Sequence, residues 1–137
     1  MSSKNRLLWA DDDADSLLAP LGRLLRKQSQ LEIDVASDYD TAIHLLQEKT
    51  YSAAVIDTIL PPGIRDSARA SYLGIRLAQY ISATYPDIKI ALLSVVPVLE
   101  VEEQLRGLDL AYFEKLHVFE MNNFDRLVSY LIGKRDR

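Results

Sequence analysis

The chain has 137 residues, 48% of them apolar and 26% charged, and a formal net charge of -4, which argues against the basic face that non-specific nucleic-acid binding needs. The absence of cysteine excludes disulfide bonds and thiolate metal sites. No apolar run reaches the roughly 18–20 residues of a membrane-spanning helix, and the first run is too short for a signal peptide.

Short apolar runs alternate along the chain with longer amphipathic segments. In chain order, strands are predicted at residues 6–10, 32–36, 53–57, 88–96 and 110–114, and helices at 15–28, 37–49, 72–84, 98–107 and 121–133. This alternation predicts an α/β fold with a five-stranded parallel sheet and helices on both of its faces. We expect residues 1–137 to form a single domain without an output domain.

The residues with reactive or charged side chains come where the predicted strands end. In a parallel sheet with right-handed crossovers, all carboxyl ends meet at one edge, and open α/β sheets bind their ligands there. The residues at these ends are Asp11, Asp12 and Asp13 after the first strand, Asp57 in the third, Ser94 in the fourth, and Lys115 after the fifth. The second strand leads into Ser37 and Asp38, which we interpret as a helix cap.

This set of side chains makes chemical sense together. Clustered carboxylates without His or Cys suit a hard cation that binds oxygen, and Mg²⁺ typically takes one or two carboxylates while keeping several waters. A carboxylate can also act as a nucleophile toward phosphorus and form an aspartyl phosphate. A hydroxyl and an ammonium group nearby would hold the phosphoryl oxygens. The sequence therefore predicts a magnesium-dependent phosphoryl site at this edge.

Four motifs resemble those of the receiver domain of two-component response regulators, and they read WADDD, AVIDTILPPG, ALLSVV and YFEKL. The resemblance covers essentially the whole chain, and it is specific because the four motifs fall at the ends of the right strands. It implies a CheY-like, flavodoxin-like sheet with the strand order 2-1-3-4-5.

The resemblance also implies a role for each residue at the site. Asp57 corresponds to the phosphoacceptor. The Mg²⁺ ligands would be Asp11, Asp12, Asp57 and the backbone carbonyl of Ile59. The phosphoryl-binding and switch residues would be Ser94, Lys115 and Tyr112.

The function implied by the resemblance is signalling, and the chain would not be an enzyme acting on a separate substrate. A histidine kinase or phosphotransfer protein would phosphorylate Asp57, and the output would be altered binding to a downstream protein, with no direct contact to nucleic acid or membrane. The expected location is the cytoplasm. The fourth strand, the fourth predicted helix and the fifth strand form the face expected to change, which is also a candidate homodimer surface.

Three positions depart from the usual receiver pattern. Leu116 stands where a proline usually follows the lysine, and loop 58–71 is longer than usual, with Gly74 standing for a glycine that the family has earlier. This loop is either solvated or a partner-contacting element. Val95 follows the switch hydroxyl in place of a small residue. It either packs, or it narrows the approach of water to the acyl phosphate and lengthens its life.

Two other functions compete with this interpretation. One is a receiver-like interaction scaffold that no longer cycles phosphate. The other is a phosphatase of the haloacid-dehalogenase type, since DDDAD contains a D-x-D spacing, but Ala14 follows where that family usually has Thr or Val. A nucleotide- or flavin-binding domain is disfavoured because the loop after the first strand has no glycine to cradle phosphate.

Overall fold

The computed structural model describes residues 6–12, 32–61, 72–114, 126–127 and 129–131. Its strands are β1 (Arg6–Ala10), β2 (Glu32–Ala36), β3 (Ala53–Asp57), β4 (Lys89–Ser94) and β5 (Leu110–Glu114). Its helices are α1 (Tyr39–Glu48), α2 (Leu73–Thr84) and α3 (Val98–Leu105), and residues 126–127 and 129–131 are also helical. The helix predicted at 15–28 lies outside the described residues. None of the helices within these ranges is long and apolar enough to cross a membrane.

The five strands form one parallel sheet in the order β2-β1-β3-β4-β5, which confirms the predicted topology. β1 and β3 are direct neighbours, and Ala10 of β1 lies opposite Ile56 of β3. The residues that follow, Asp11 and Asp57, therefore leave the sheet side by side at its carboxyl edge.

The core lies on both faces of the sheet, because successive side chains of a strand point to opposite faces. On one face Leu8 and Ile56 are buried together with Ala42 of α1 and Leu77 of α2. On the other face the buried residues include Leu7, Trp9, Val55, Leu93, Leu127 and Leu131. Burial on both faces explains why the central strands β1, β3 and β4 appear as apolar runs, and it confirms helices on both sides.

The predicted start of α1 is confirmed in atomic detail. Asp38 is the N-cap, and its carboxylate accepts a hydrogen bond of 2.8 Å from the backbone N–H of Thr41. The fourth strand is shorter than the predicted range 88–96 and ends at Ser94. The reason is local: the Ser94 hydroxyl accepts from the backbone N–H of Val96 at 2.9 Å, which turns the chain toward Pro97 and α3.

A polar network lies at the opposite, amino-terminal edge of the sheet. One carboxylate oxygen of Asp34 accepts from the Tyr51 hydroxyl at 2.8 Å, from Arg6 at 3.3 Å and from Lys49 at 3.4 Å. Burial would raise the pKa of Asp34, but the Tyr51 hydrogen bond and the charges of Lys49 and Arg6 outweigh it, and the pKa lies below its ordinary value. The network therefore favours the folded state while Asp34 is ionised.

We predict that Tyr51→Phe lowers the free energy of unfolding by about 1.5–3 kcal/mol at pH 7, the range for a hydrogen bond to a charged group. Because the pKa of Asp34 is depressed in the folded protein, its contribution is complete above the unfolded value and is lost as the pH falls through the folded value. The effect of Tyr51→Phe should therefore shrink in acid to the roughly 0.5–1.5 kcal/mol of a neutral hydrogen bond.

Urea unfolding of both proteins across this pH range measures the effect. Tyr39→Phe is the matched control, since the Tyr39 ring also packs on the core while its hydroxyl has no hydrogen-bond partner among the described residues. A Tyr51→Phe effect independent of pH would show that Asp34 does not act as a charged acceptor.

Candidate functional site

Three carboxylates gather at the carboxyl edge of the sheet. Asp11 and Asp12 directly follow β1, and Asp57 is the last residue of β3. One carboxylate oxygen from each lies within 4.8 Å of the others. Asp11 and Asp57 are 1% and 6% exposed, whereas Asp12 is exposed to solvent. The structure thus brings together the three acidic residues that the sequence placed at two neighbouring strand ends.

The chemistry of this cluster suits a hard divalent cation. Buried ionised carboxylates are unfavourable unless they are hydrogen-bonded, paired or bound to a metal, and like charges at this separation repel. The three donors are all oxygens, the ligand type that Mg²⁺ prefers, at about 2.0–2.1 Å. Opposite ligands of one Mg²⁺ are therefore about 4.2 Å apart. A spread of 4.8 Å fits such an ion after small side-chain movements or with water as one intermediary.

The carboxylate of Asp57 is oriented by the backbone that follows it. Its Oδ1 atom accepts a hydrogen bond of 3.0 Å from the N–H of Ile59. The N–H of Thr58 in turn donates to the carbonyl of Leu93 at 3.2 Å, which extends the pairing of β3 with β4 by one residue. These bonds fix the direction in which Asp57 leaves the sheet.

Ser94 and Tyr112 are joined through the main chain of one residue, Val96. The Ser94 hydroxyl is 1% exposed, accepts from the Val96 N–H and lies 3.4 Å from the Val96 carbonyl. The Tyr112 hydroxyl donates to that same carbonyl at 2.5 Å, and its ring packs against the core. A displacement of the Ser94 hydroxyl would therefore disturb Val96, the residue whose carbonyl accepts from Tyr112.

Several residues considered in the sequence lie outside the described residues. They are Asp13, loop residues 62–71, Lys115 and Leu116. The strand that leads toward Lys115 is described, and its last residue, Glu114, lies opposite Ser94 in the register of β4 and β5. The chain therefore approaches position 115 at the carboxyl edge of the sheet.

The packing interpretation of Val95 is wrong. Val95 is 57% exposed, because β4 ends at Ser94 and the turn that follows directs Val95 away from the core. The second interpretation, that Val95 limits the approach of water to an acyl phosphate, stays a prediction.

Gly74 has a structural role that the sequence alone did not reveal. A Cβ atom at this position would lie 1.9 Å from the backbone carbonyl oxygen of Asp57, and the Gly74 N–H donates to the Thr58 carbonyl at 2.9 Å. The residue before α2, Tyr72, has a left-handed backbone with φ of 56°, which is uncommon for a bulky side chain. The first turn of α2 thus lies directly on the backbone of the acidic site.

We compared the chain with known families, curated proteins and solved structures. No family model matches the sequence, and no curated protein matches it. A CheY-like response regulator receiver domain from Methanospirillum hungatei superposes with a TM-score of 0.75 at 19% identity, covering 96% of each chain. The chain has the receiver-domain fold.

Two further structures of this fold come from bacteria. Response regulator TrrA of Thermotoga maritima, in complex with Mg²⁺ and BeF, gives a TM-score of 0.63 at 21% identity and covers 90% of this chain and 98% of its own. The receiver domain of a sensor histidine kinase from Pseudomonas aeruginosa was solved with magnesium coordinated in its active-site cleft. It gives a TM-score of 0.68 at 18% identity and covers 96% of this chain and 100% of its own.

We predict that Gly74→Ala destabilises the protein by about 1–3 kcal/mol, the usual cost of overpacking, because the added methyl group must displace the backbone at Asp57. The same displacement should weaken binding of divalent cations. Trp9 is the only tryptophan and lies two residues before Asp11. A titration with Mg²⁺ followed by Trp9 fluorescence measures the cation affinity.

Gly107→Ala is the matched control for this prediction. Gly107 has a φ of +84°, and no atom of the described residues lies within 4 Å of an added Cβ, so alanine there costs about 1–2 kcal/mol through the backbone. Its cation affinity should equal that of the wild type. Equal cation affinities for both variants would contradict a role of Gly74 in positioning Asp57.

Proposed function

We propose that this chain is a phosphoacceptor signalling domain that receives a phosphoryl group on Asp57 from a histidine kinase or phosphotransfer protein. One observation carries the proposal: Asp11, Asp12 and Asp57 converge within 4.8 Å at the carboxyl edge of a receiver-type sheet. Clustered carboxylates at this edge suit both a divalent cation and nucleophilic attack on phosphorus.

The proposed step is a transfer between two side chains. A carboxylate oxygen of Asp57 attacks the phosphorus of a phosphohistidine, a P–O bond forms, and the P–N bond breaks. The imidazole nitrogen leaves with the electron pair and takes up a proton. The Ile59 N–H, which lies 3.0 Å from Asp57 Oδ1, holds the carboxylate in a fixed direction during this attack.

Mg²⁺ is the proposed cofactor, and when bound it would neutralise charge on the phosphoryl oxygens. Asp11, Asp12, Asp57 and the backbone carbonyl of Ile59 are the proposed ligands, with Asp11 acting through water. TrrA in complex with Mg²⁺ and BeF, and the Pseudomonas receiver domain with magnesium in its active-site cleft, have the same fold and support this assignment. Lys115, which directly follows Glu114, is the proposed partner of the phosphoryl oxygens.

The proposed output begins with a competition for the Ser94 hydroxyl. Phosphorylation adds about -1.5 to -2 charges to a hydroxyl amino acid, and an acyl phosphate is similarly anionic. We infer that this charge draws Ser94 away from the Val96 N–H, which it now satisfies at 2.9 Å. Val96 also binds the Tyr112 hydroxyl, so the change reaches the face made by β4, α3 and β5.

The proposed readers of this change are proteins. A downstream protein target would bind the altered face, and a second copy of the chain is an alternative occupant of it. An interaction scaffold without phosphate cycling remains the competing function. The presence of all three acidic residues in one cluster favours phosphoryl transfer over that alternative.

Labelling with acetyl phosphate in the presence of Mg²⁺ tests the proposed function. The wild type should incorporate one hydroxylamine-labile phosphoryl group, as expected of an acyl phosphate, and Asp57→Asn should incorporate none, because the amide lacks the nucleophilic oxygen anion. Removal of Mg²⁺ with a chelator should also prevent labelling. Intact-mass measurement gives the stoichiometry directly.

Asp87→Asn is the matched control, since Asp87 is exposed in the turn before β4, at the amino-terminal edge of the sheet. This variant should label like the wild type. A wild type that takes no label would favour the scaffold, and label retained in Asp57→Asn would assign the acceptor to a different residue.

A double-mutant cycle tests the link through Val96. We predict that Ser94→Ala and Tyr112→Phe each destabilise the protein by about 0.5–3 kcal/mol, because each breaks a bond to one Val96 group and Ser94→Ala leaves a buried N–H unsatisfied. Their effects should be non-additive by at least about 0.5 kcal/mol in urea unfolding.

Ser94→Ala combined with Tyr39→Phe provides the additive reference for this cycle. With Mg²⁺ and beryllium fluoride present, the coupling between positions 94 and 112 should fall, because the Ser94 hydroxyl turns to the phosphoryl analogue. Additive effects of Ser94→Ala and Tyr112→Phe would remove the proposed link.

A further inference from the structure

An apolar patch lies on the surface just beyond Ser94. The large apolar side chains exposed in the described part of the chain are Val35, Ile59, Val95, Val98 and Leu99. The last three form a short stretch from the end of β4 into α3, with exposures of 57%, 43% and 78%. We call these three residues the α3 patch. Exposed apolar clusters of this kind commonly mark interaction sites.

The fold itself does not require the α3 patch to be apolar. α3 is held mainly by buried Val101 and half-buried Leu105, which lie one helical turn apart. Two polar contacts also tie α3 to α2 and to the residue before it: Tyr72 donates to Glu100 at 3.4 Å, and the Gln79 side chain of α2 donates to the Gln104 carbonyl at 3.2 Å. None of these contacts involves Val95, Val98 or Leu99.

The surface beside the α3 patch is acidic. Residues 95–105 contain Glu100, Glu102 and Glu103 and no Lys or Arg. Glu102 and Glu103 follow Leu99 by three and four positions, so the three side chains share one face of the helix. Arg106 pairs with Glu103 at 2.7 Å, but both side chains are largely exposed, where such pairs contribute little.

The helix end contributes little positive charge of its own. The last turn of α3 contains no basic residue, and Arg106 at its C-cap already pairs with Glu103. The face of α3 is therefore apolar near its start and negative near its end. A partner that matches it needs apolar side chains followed by cations.

We propose that the α3 patch docks a basic amphipathic helix of a partner protein. Its apolar side chains would cover Val95, Val98 and Leu99, and its Lys or Arg side chains would lie against Glu102 and Glu103. A second copy of this chain fits less well, because pairing two such faces would put acidic residues against acidic or apolar ones.

This inference deepens the proposed function, and only its link to phosphorylation rests on that function. Val95 lies between Ser94 and Val96. The Val96 N–H donates to the Ser94 hydroxyl, and the Val96 carbonyl accepts from the Tyr112 hydroxyl. A movement of Ser94 toward a phosphoryl group would therefore shift one margin of the α3 patch and alter the affinity for the docked helix.

Designed peptides test the docking without knowledge of the natural partner. The probes are a helical peptide with a Leu face and a Lys face, the same peptide with Glu replacing Lys, and a scrambled Leu/Lys peptide with no apolar face. Fluorescence anisotropy of the labelled peptides with the full, unphosphorylated chain should show binding of the Leu/Lys helix, with the other two weaker by at least roughly tenfold. Amide NMR shifts should locate the contact at α3 and Val95.

Variants of exposed residues supply the matched controls. Val98→Ser combined with Leu99→Ser should weaken binding roughly tenfold, while Val35→Ser, which alters an exposed valine on β2, should leave it unchanged. Glu102→Lys combined with Glu103→Lys should shift the preference to the Leu/Glu peptide. Urea unfolding of each variant verifies that the fold is retained.

Several outcomes would overturn the docking proposal. Equal binding of the Leu/Lys and Leu/Glu peptides is one, and binding unchanged by Val98→Ser combined with Leu99→Ser is another. NMR shifts centred on Asp11 and Asp12, or self-association of the chain through the α3 patch, would also overturn it. The proposed function is judged separately. Acetyl phosphate with Mg²⁺ should change the affinity of the wild type for the Leu/Lys peptide, whereas the affinity of Asp57→Asn should be the same before and after the addition. Peptide binding without any labelling would reject phosphoryl transfer and retain the docking surface.

Discussion

The structure depends on the parallel pairing of β1 with β3. With Ala10 opposite Ile56, the chain delivers Asp11 and Asp57 to the same edge, at positions set by backbone hydrogen bonds rather than by flexible side chains. If the pairing of β1 shifted by one residue, every side chain of the strand would point to the opposite face of the sheet. Leu7 and Trp9 would then leave the core cluster in which they are buried. The buried core of both faces therefore fixes the register, and the register fixes the acidic cluster.

The acidic cluster brings like charges together, and the surrounding backbone holds it in place. Asp11 and Asp57 are buried close together, an arrangement that is unfavourable until a cation or hydrogen bonds offset the charge. The first turn of α2 lies so close to Asp57 that only glycine fits at position 74, and Tyr72 adopts a left-handed backbone before it. Strained backbone and crowded charge meet at the same edge of the sheet, as is common at functional sites.

The features that could be predicted from the sequence are those that follow from hydrophobic periodicity and from the residues at strand ends. The central strands β1 and β3 are buried on both faces and form continuous apolar runs, so they matched their predicted bounds, and the residues that follow them could be assigned to one edge. The edge strands β2 and β5 also matched their predicted bounds, although they are only partly buried. Contacts between distant backbone groups leave no such pattern. The approach of Gly74 to Asp57 and the two bonds to Val96 required the structure. Val95 was ambiguous for a similar reason, since a single residue in a turn has no periodicity to indicate its burial.

The Ser94 hydroxyl sets a limit on how strongly phosphorylation can act on the α3 patch. Under the proposed function this hydroxyl leaves the Val96 N–H, a neutral hydrogen bond worth about 0.5–1.5 kcal/mol, for a charged phosphoryl oxygen worth about 1.5–3 kcal/mol. The difference of roughly 1–2 kcal/mol changes a two-state ratio by a factor of about 5–30. Since a signal can shift an equilibrium only by its differential interaction with the two states, phosphorylation should tune docking at α3 rather than create it.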